Sequence, residues 1–294
     1  VATAAVATPV SGVGGYVYST NIEPTNLDIN HVTLTLPRLD PQFDGFRLAQ
    51  LSDFHMGSWM TGKRLTDIIR IVNDEAPDMV ALTGDYFTGT SPDRRGRHND
   101  EESFNSTRTN IFAEDVEMAC SLIQAPTVGI LGNHDHRGWP ALVREIFART
   151  GVIDLSNTVY TLERDGAFLQ FGGVDDIKMG RDRLDVVLDQ LPSDGAAILL
   201  AHEPDFADAT VRTGRFDLQI SGHSHGGQVI LPFVGPLVLP ELGQKYPIGL
   251  YELDGMYQYT NRGIGMSEPA VRFNCRPELT IFTFESPHAS KSAI

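Results

Sequence analysis

The chain has little of several things, and each shortage excludes something. Only two of its 294 residues are cysteine, Cys120 and Cys275. They make no Cys-x-x-Cys pair and no disulfide framework, and they read as buried free thiols. Positive charge is also short. Lys and Arg number 23 against 38 Asp and Glu, a formal net charge of −15. That balance argues against general nucleic-acid binding. A phosphate-bearing substrate would need a local positive centre to overcome this field, and a bound divalent metal supplies one. The opening stretch "VATAAVATPVSGVGG" carries no charge, yet it is too short and too weakly apolar to span a membrane. It reads as the tail of an export signal or as a plain N-terminal tail. The first reading places the chain outside the cytoplasm or at a membrane, the second in the cytoplasm. No internal repeat is evident.

What is present is ordinary in bulk and unusual in detail. Apolar residues make up 41%, enough for one large domain. We assign it to residues 27–286, with tails at 1–26 and 287–294. The recurring unit is a short apolar run that ends in a polar residue. "FRLAQLSDFH" ends in Asp53 and His55, "DMVALTGD" in Asp85, and "TVGILGNHD" in Asn133, His134 and Asp135. "AAILLAHEPD" delivers His202, and "FDLQISGHSH" delivers His223 and His225. Nearly continuous apolar runs of this length are strands buried on both faces.

Helical patterns alternate with them. In "KRLTDIIRIVNDE", Leu65, Ile68, Ile69 and Val72 fall on one helix face. "FAEDVEMACSLI", "ALVREIFART" and "RLDVVLDQL" read similarly. The alternation predicts an α/β architecture. "LDINHVTLTL" alternates like an edge or hairpin strand, and residues 246–284 read as several successive strands. Two packed sheets flanked by helices accommodate both. The polar segment 88–110 fits no element and is long for a loop. "LPFVGPLVLP" reads as a buried strand pair, or else as a surface for an acyl chain or membrane.

Open α/β sheets bind ligands beyond the carboxyl ends of their strands. Five runs deliver Asp, Asn or His to that edge, and five of the nine histidines lie in them. In an extended segment, residues i and i+2 point to the same side. Asp53 and His55 can therefore share one metal, and His223 and His225 can reach two neighbouring ones. Gly222, Gly226 and Gly227 let the chain turn between them. Metal candidates are Asp53, His55, Asp85, Asn133, His202, His223 and His225; if Asp85 bridges, each of two metals receives four of them. Mixed carboxylate, amide and imidazole donors suit Mn, Fe or Zn better than Mg or Ca.

The motifs "SDFH", "TGDY", "LGNHD", "LAHEPD" and "SGHSHGGQ", in that order, resemble the calcineurin-like metallophosphoesterase family. The flanks resemble a bacterial, often exported or membrane-associated branch that includes phosphodiesterases and UDP-2,3-diacylglucosamine pyrophosphatases. The resemblance implies a four-layer αββα sandwich of two mixed sheets and a dinuclear metal-dependent phosphoesterase. It places Asp53, His55, Asp85 and His225 on one metal and Asp85, Asn133, His202 and His223 on the other. It implies in-line attack by a metal-bridging hydroxide on a phosphodiester, phosphomonoester or pyrophosphate, with His134 as the acid. Substrates implied are a small phosphate ester or a lipid-linked one, with peripheral membrane association. Many members carry an Asp three residues after the metal Asp, where it can orient the catalytic histidine. Here that position is Thr88, which leaves the partner of His134 open. Tyr86 is out of step for a tyrosinate ligand. Asp135 and His136 are candidates near the site, as are Glu203 and Asp205. Arg94, Arg95 and Arg97, with His98, are candidates for a phosphate-binding flap. Competing functions are a non-catalytic metal-binding scaffold of the same fold and a nuclease of the superfamily. The retained His134 disfavours the first, and the acidic balance disfavours the second.

Overall fold

The structure is a computed structural model and describes residues 12–88 and 107–289. In chain order its strands are β1 (Asp28–Thr35), β2 (Phe46–Leu51), β3 (Met79–Leu82), β4 (Thr127–Gly129), β5 (Ile153–Asp154), β6 (Thr158–Arg164), β7 (Ala167–Gly173), β8 (Ala196–Leu200), β9 (Leu218–Ser221), β10 (Ile230–Leu231), β11 (Gly235–Pro236), β12 (Gly249–Leu253), β13 (Met256–Thr260) and β14 (Glu278–Glu285). Its α-helices are α1 (Gly12–Val17), α2 (Gly62–Asp74), α3 (Thr107–Ser121), α4 (Asn133–His136), α5 (Pro140–Thr150), α6 (Leu184–Gln190) and α7 (Ala207–Thr210). Two six-stranded sheets form, in the orders β1-β14-β2-β3-β4-β5 and β12-β13-β9-β8-β7-β6.

Strand pleating sorts the apolar side chains into layers. Phe46 and Leu48 of β2 face the second sheet and pack with Ile198, Leu200, Leu218 and Ile220. Ala49 and Leu51 of the same strand face outward, against Leu65, Ile69 and Val72 of α2, Val116 of α3 and Val143 of α5. In the second sheet Ala197 and Leu199 turn outward to Val187 of α6 and Ala207 of α7. The result is helix, sheet, sheet, helix, the predicted four layers. Helix α2 starts where the Thr61 hydroxyl accepts from Arg64 N, and it buries the four residues its spacing selects.

Several local expectations change. β1 is an edge strand but not half of a hairpin: it runs parallel to β14 from Asp28–Glu278 to Thr35–Glu285. One hairpin lies at β6–β7, an antiparallel pair outside the apolar runs above. Its turn is Asp165-Gly166, both at positive φ, the preferred chemistry for a two-residue turn. The segment 88–110 is not all loop, since α3 begins at Thr107; Arg94, Arg95, Arg97 and His98 lie outside the described residues. The chain before Leu27 is helical from Gly12 to Thr25, and Glu23 is buried there, accepting from Cys275 N. Both cysteines are buried and free. The "LPFVGPLVLP" pair is not buried: its strands are two residues each, and Phe233, Val234, Leu237 and Val238 are exposed.

Candidate metal centre

The carboxyl ends of five parallel strands meet between the two sheets. β2, β3 and β4 present Asp53, His55, Asp85 and Asn133 from the first sheet; β8 and β9 present His202, His223 and His225 from the second. Buried Gln50 ties the sheets together at this edge. Its amide donates to Ser221 O at 2.9 Å and to Thr83 Oγ1 at 3.1 Å.

The predicted residues converge in three clusters: Asp53, His55 and His225; Asp85, His202 and His223; and His55, Asp85 and His134. His55 Nε2 lies 2.9 Å from His225 Nε2. Asp53 Oδ1 lies 3.2 Å from the second ring and 3.7 Å from the first. Asp85 Oδ2 stands between the groups, 3.7 Å from His55 Nε2 and 3.2 Å from His202 Nε2. One carboxylate thus faces both clusters.

Asp53 and His55 fall in one cluster and His223 and His225 in different ones, but not by the i, i+2 geometry of an extended strand. These segments are not extended. Asp53, His55, Asp85, His223 and His225 all have φ between 49° and 66°. The left-handed region is unfavourable for residues with a Cβ, and several such residues together mark a functional constraint. His223 and His225 reach different clusters because the chain turns between them. Gly222 has no room for a side chain: a Cβ there would stand 1.9 Å from Ser52 Oγ and 2.3 Å from Asp53 Oδ2.

The donor set fits a pair of metal ions. Asp53 Oδ1, Asn133 Oδ1 and His202 Nε2 are buried atoms of the cluster without a hydrogen-bond partner. Leaving such atoms unpaired is costly unless something else satisfies them. The remaining ring nitrogens are fixed from behind. His202 Nδ1 donates to Thr83 O at 2.7 Å, and His223 Nε2 to Glu241 O at 2.8 Å. Each bond sets a tautomer whose other nitrogen turns inward with its lone pair. Burial, reinforced by His202, pushes the His223 pKa down to about 3, which keeps that ring neutral. Burial raises the Asp85 pKa, but His202, His134 and His55 outweigh it and hold the carboxyl well below its usual value. These residues could hold one ion at Asp53, His55 and His225 and another at Asp85, Asn133, His202 and His223.

His134 sits at the cluster without belonging to either set of donors. Its backbone N–H donates to Asp85 Oδ1 at 2.8 Å, and its Nδ1 donates to Thr88 O at 2.6 Å. The partner missing from the sequence is therefore the backbone carbonyl of Thr88, at the position where the resemblance led us to look for a carboxylate. Nε2 is left to face the His55–Asp85 group.

Asp135 points away from the cluster and organises the loop that carries Asp85. Its carboxylate accepts from the N–H groups of Asp85, Tyr86, Phe87 and Gly132. Burial and the Asp85 charge push its pKa up to about 8, and the N–H donors pull the other way. Removing it orphans buried donors, so Asp135→Ala is expected to cost about 2–4 kcal/mol of stability. A denaturant midpoint that stays put would contradict this bracing role.

Other candidates are placed elsewhere. His136 Nε2 meets Asp175 Oδ1 at 2.5 Å in a buried pair that also engages Arg144, so it is not at the cluster. Asp205 accepts from Gln244, Lys245 and Tyr246 N–H groups. Tyr86 sends its hydroxyl into the core, to Ile130 O at 3.1 Å. Glu203 is buried and accepts from the N–H groups of Ile177 and Lys178.

That last contact leads to residues the sequence reading missed. A cavity of about 400 Å³ opens over Asp85, Asn133, His134, His223 and His225, and Arg137 and Lys178 line it. Neither cation has an ion-pair partner among the described residues. Lys178 follows β7, a parallel strand whose run "FGGVDDIK" also ends in polar residues at the ligand edge; that pattern was the available signal.

The calcineurin-like phosphoesterase model matches residues 46–227. The chain belongs to this family. It is a phosphoric ester hydrolase by that membership. The metallophosphoesterase YkuE of Bacillus subtilis is 33% identical over 279 residues, covering 93% of this chain and 91% of that protein. The phosphodiesterase YaeI of Escherichia coli is 28% identical over 241 residues, covering 80% and 81%. Among solved structures, the NAD nucleotidase of Haemophilus influenzae aligns over 74% of this chain and 45% of its own, at 13% identity and a TM-score of 0.46. Relatives of this phosphoesterase occur in bacteria and in animals.

Proposed function

We propose that the chain hydrolyses phosphodiesters, and with them phosphomonoesters or pyrophosphates, at a pair of Mn, Fe or Zn ions. Asp53, His55, Asp85 and His225 hold one ion; Asp85, Asn133, His202 and His223 hold the other. The observation that carries this reading is the single carboxylate of Asp85 standing between two His/Asp groups. Bound there, the two ions lower the pKa of a water and neutralise the phosphoryl oxygens.

The chain's own residues supply the rest. His134, held through Nδ1 by Thr88 O, directs Nε2 toward the cluster and protonates the leaving oxygen. Glu203, through the Ile177 and Lys178 N–H groups, sets the Lys178 loop at the mouth. Arg137 and Lys178 attract the anionic substrate into an otherwise acidic protein.

The test is an assay of metal-reconstituted protein on bis(p-nitrophenyl) phosphate, p-nitrophenyl phosphate and nucleotide pyrophosphates. Hydrolysis that vanishes on chelation and returns with metal is expected. Two bound metals per chain with no hydrolysis of any ester would favour the scaffold reading. Arg137→Ala and Lys178→Ala should each raise KM about tenfold for a substrate with a second anionic group, with kcat little changed. A fall in kcat at constant KM would move these residues from binding to chemistry.

A further inference from the structure

We propose that the hairpin loop 229–240 docks the protein on a lipid bilayer, with the tip at Phe233 and Val234 inserted among the lipids. The sequence there is "VILPFVGPLVLP", twelve residues without one polar side chain. Phe233 is fully exposed, at 109% of its reference area, with Val234 at 71% and Val238 at 75%. Phe233 also has φ at +67°. A bulky residue in that conformation is strained, and its ring gains no burial in return.

The base of the loop is pinned while its tip projects. Leu237 N donates to Val229 O at 3.0 Å, and Ile230 N to Phe273 O at 2.8 Å. Gly227 of the His223–His225 turn packs so closely beneath that a Cβ would lie 2.8 Å from Pro236 Cβ. The tip is therefore held at a set position relative to the metal centre. Val229, Leu237 and Val238 of the same loop line the cavity over that centre.

A second segment shares this face. Tyr18 meets Phe273 edge-on, with centroids 6.3 Å apart. A cavity between the N-terminal helical segment and the hairpin is lined by Gly15, Ser19, Val229, Leu231, Val271 and Phe273. Tyr16, Val17 and Ile22 of that segment are exposed.

The occupant follows from chemistry. A protein interface carries about one hydrogen bond per 100–200 Å² to set its register. This tip is exposed and offers no side chain for one. A fluid bilayer asks for none and rewards buried apolar area, with Tyr at the headgroup level. The net charge of −15 selects a zwitterionic surface over an anionic one. Among the described residues no helix is long and apolar enough to cross a membrane. The docking stands on the loop alone; that it brings bilayer phosphoesters to the cavity rests on the phosphoesterase reading.

The full chain should co-sediment with phosphatidylcholine vesicles. F233S/V234S should lower the partition coefficient about tenfold or more, with hydrolysis of bis(p-nitrophenyl) phosphate unchanged, since neither residue lines the cavity. In F233W, emission beyond that of the parent chain should shift to the blue only when vesicles are added. No vesicle binding, or binding that F233S/V234S leaves intact, overturns the proposal. So does a concentration-dependent dimer abolished by F233S/V234S, which would make the occupant a second copy. Vesicle binding without hydrolysis sinks the phosphoesterase reading and leaves the docking; hydrolysis without binding does the reverse.

Discussion

Asp85→Asn is expected to weaken both metal positions at once. The substitution keeps the shape of the side chain and removes its charge. Asp85 Oδ2 lies 3.2 Å from His202 Nε2 and 3.7 Å from His55 Nε2, one donor atom of each group. No other carboxylate is shared between the groups. A neutral amide cannot offer a shared anionic oxygen to two cations. Elemental analysis and metal titration calorimetry should show both ions lost in parallel, and activity should fall about 10³-fold, some 4 kcal/mol of transition-state stabilisation. Loss of one ion with the other still tightly bound would mean that Asp85 belongs to a single site. The His134 backbone N–H bond to Asp85 Oδ1 is retained by an amide oxygen, so the effect is not expected from loop disorder.

His134→Ala separates chemistry from binding. Its ring donates from Nδ1 to a backbone carbonyl, and the groups Asp53, His55, His225 and Asp85, His202, His223 form without it. Both metals should remain. The rate should fall by about 10²–10⁴-fold, the usual contribution of general acid–base catalysis. The loss should be smaller for a p-nitrophenyl ester, whose leaving group needs little protonation, and larger for an alkyl ester. Equal losses would assign the ring an electrostatic role. Loss of metal would make His134 a ligand. Burial lowers the pKa of this ring, against a raising effect from Asp85.

Much of the centre was legible because one rule governs it. Parallel strands put their carboxyl ends on one edge, so polar residues that close apolar runs must meet there. Asp53, Asp85, Asn133, His202 and His225 were found that way. Arg137 and Lys178 were not, since neither sits in a histidine motif, and β7 was overlooked as a strand. The orienting partner of His134 could not have been read at all, because Thr88 contributes a backbone carbonyl, which every residue has. Side-chain chemistry leaves a signature in sequence; main-chain chemistry does not.

The hairpin shows the converse limit. An apolar run such as 229–240 predicts burial, since removing apolar area from water drives folding. Here the strands are only two residues long, and no layer of the sandwich passes over them. Sequence shows that a segment is apolar but not what covers it.

The sequence by itself determined the α/β class, the helix faces, the buried thiols and the Asp, Asn and His residues that gather at the ligand edge. Each follows from local periodicity or from the identity of a side chain. Tertiary structure alone decided the left-handed backbone that aims five of those residues, the carbonyl behind His134, the cations at the mouth and the exposure of Phe233. These depend on distances between segments far apart in the chain, and such distances are set by how the two sheets pack.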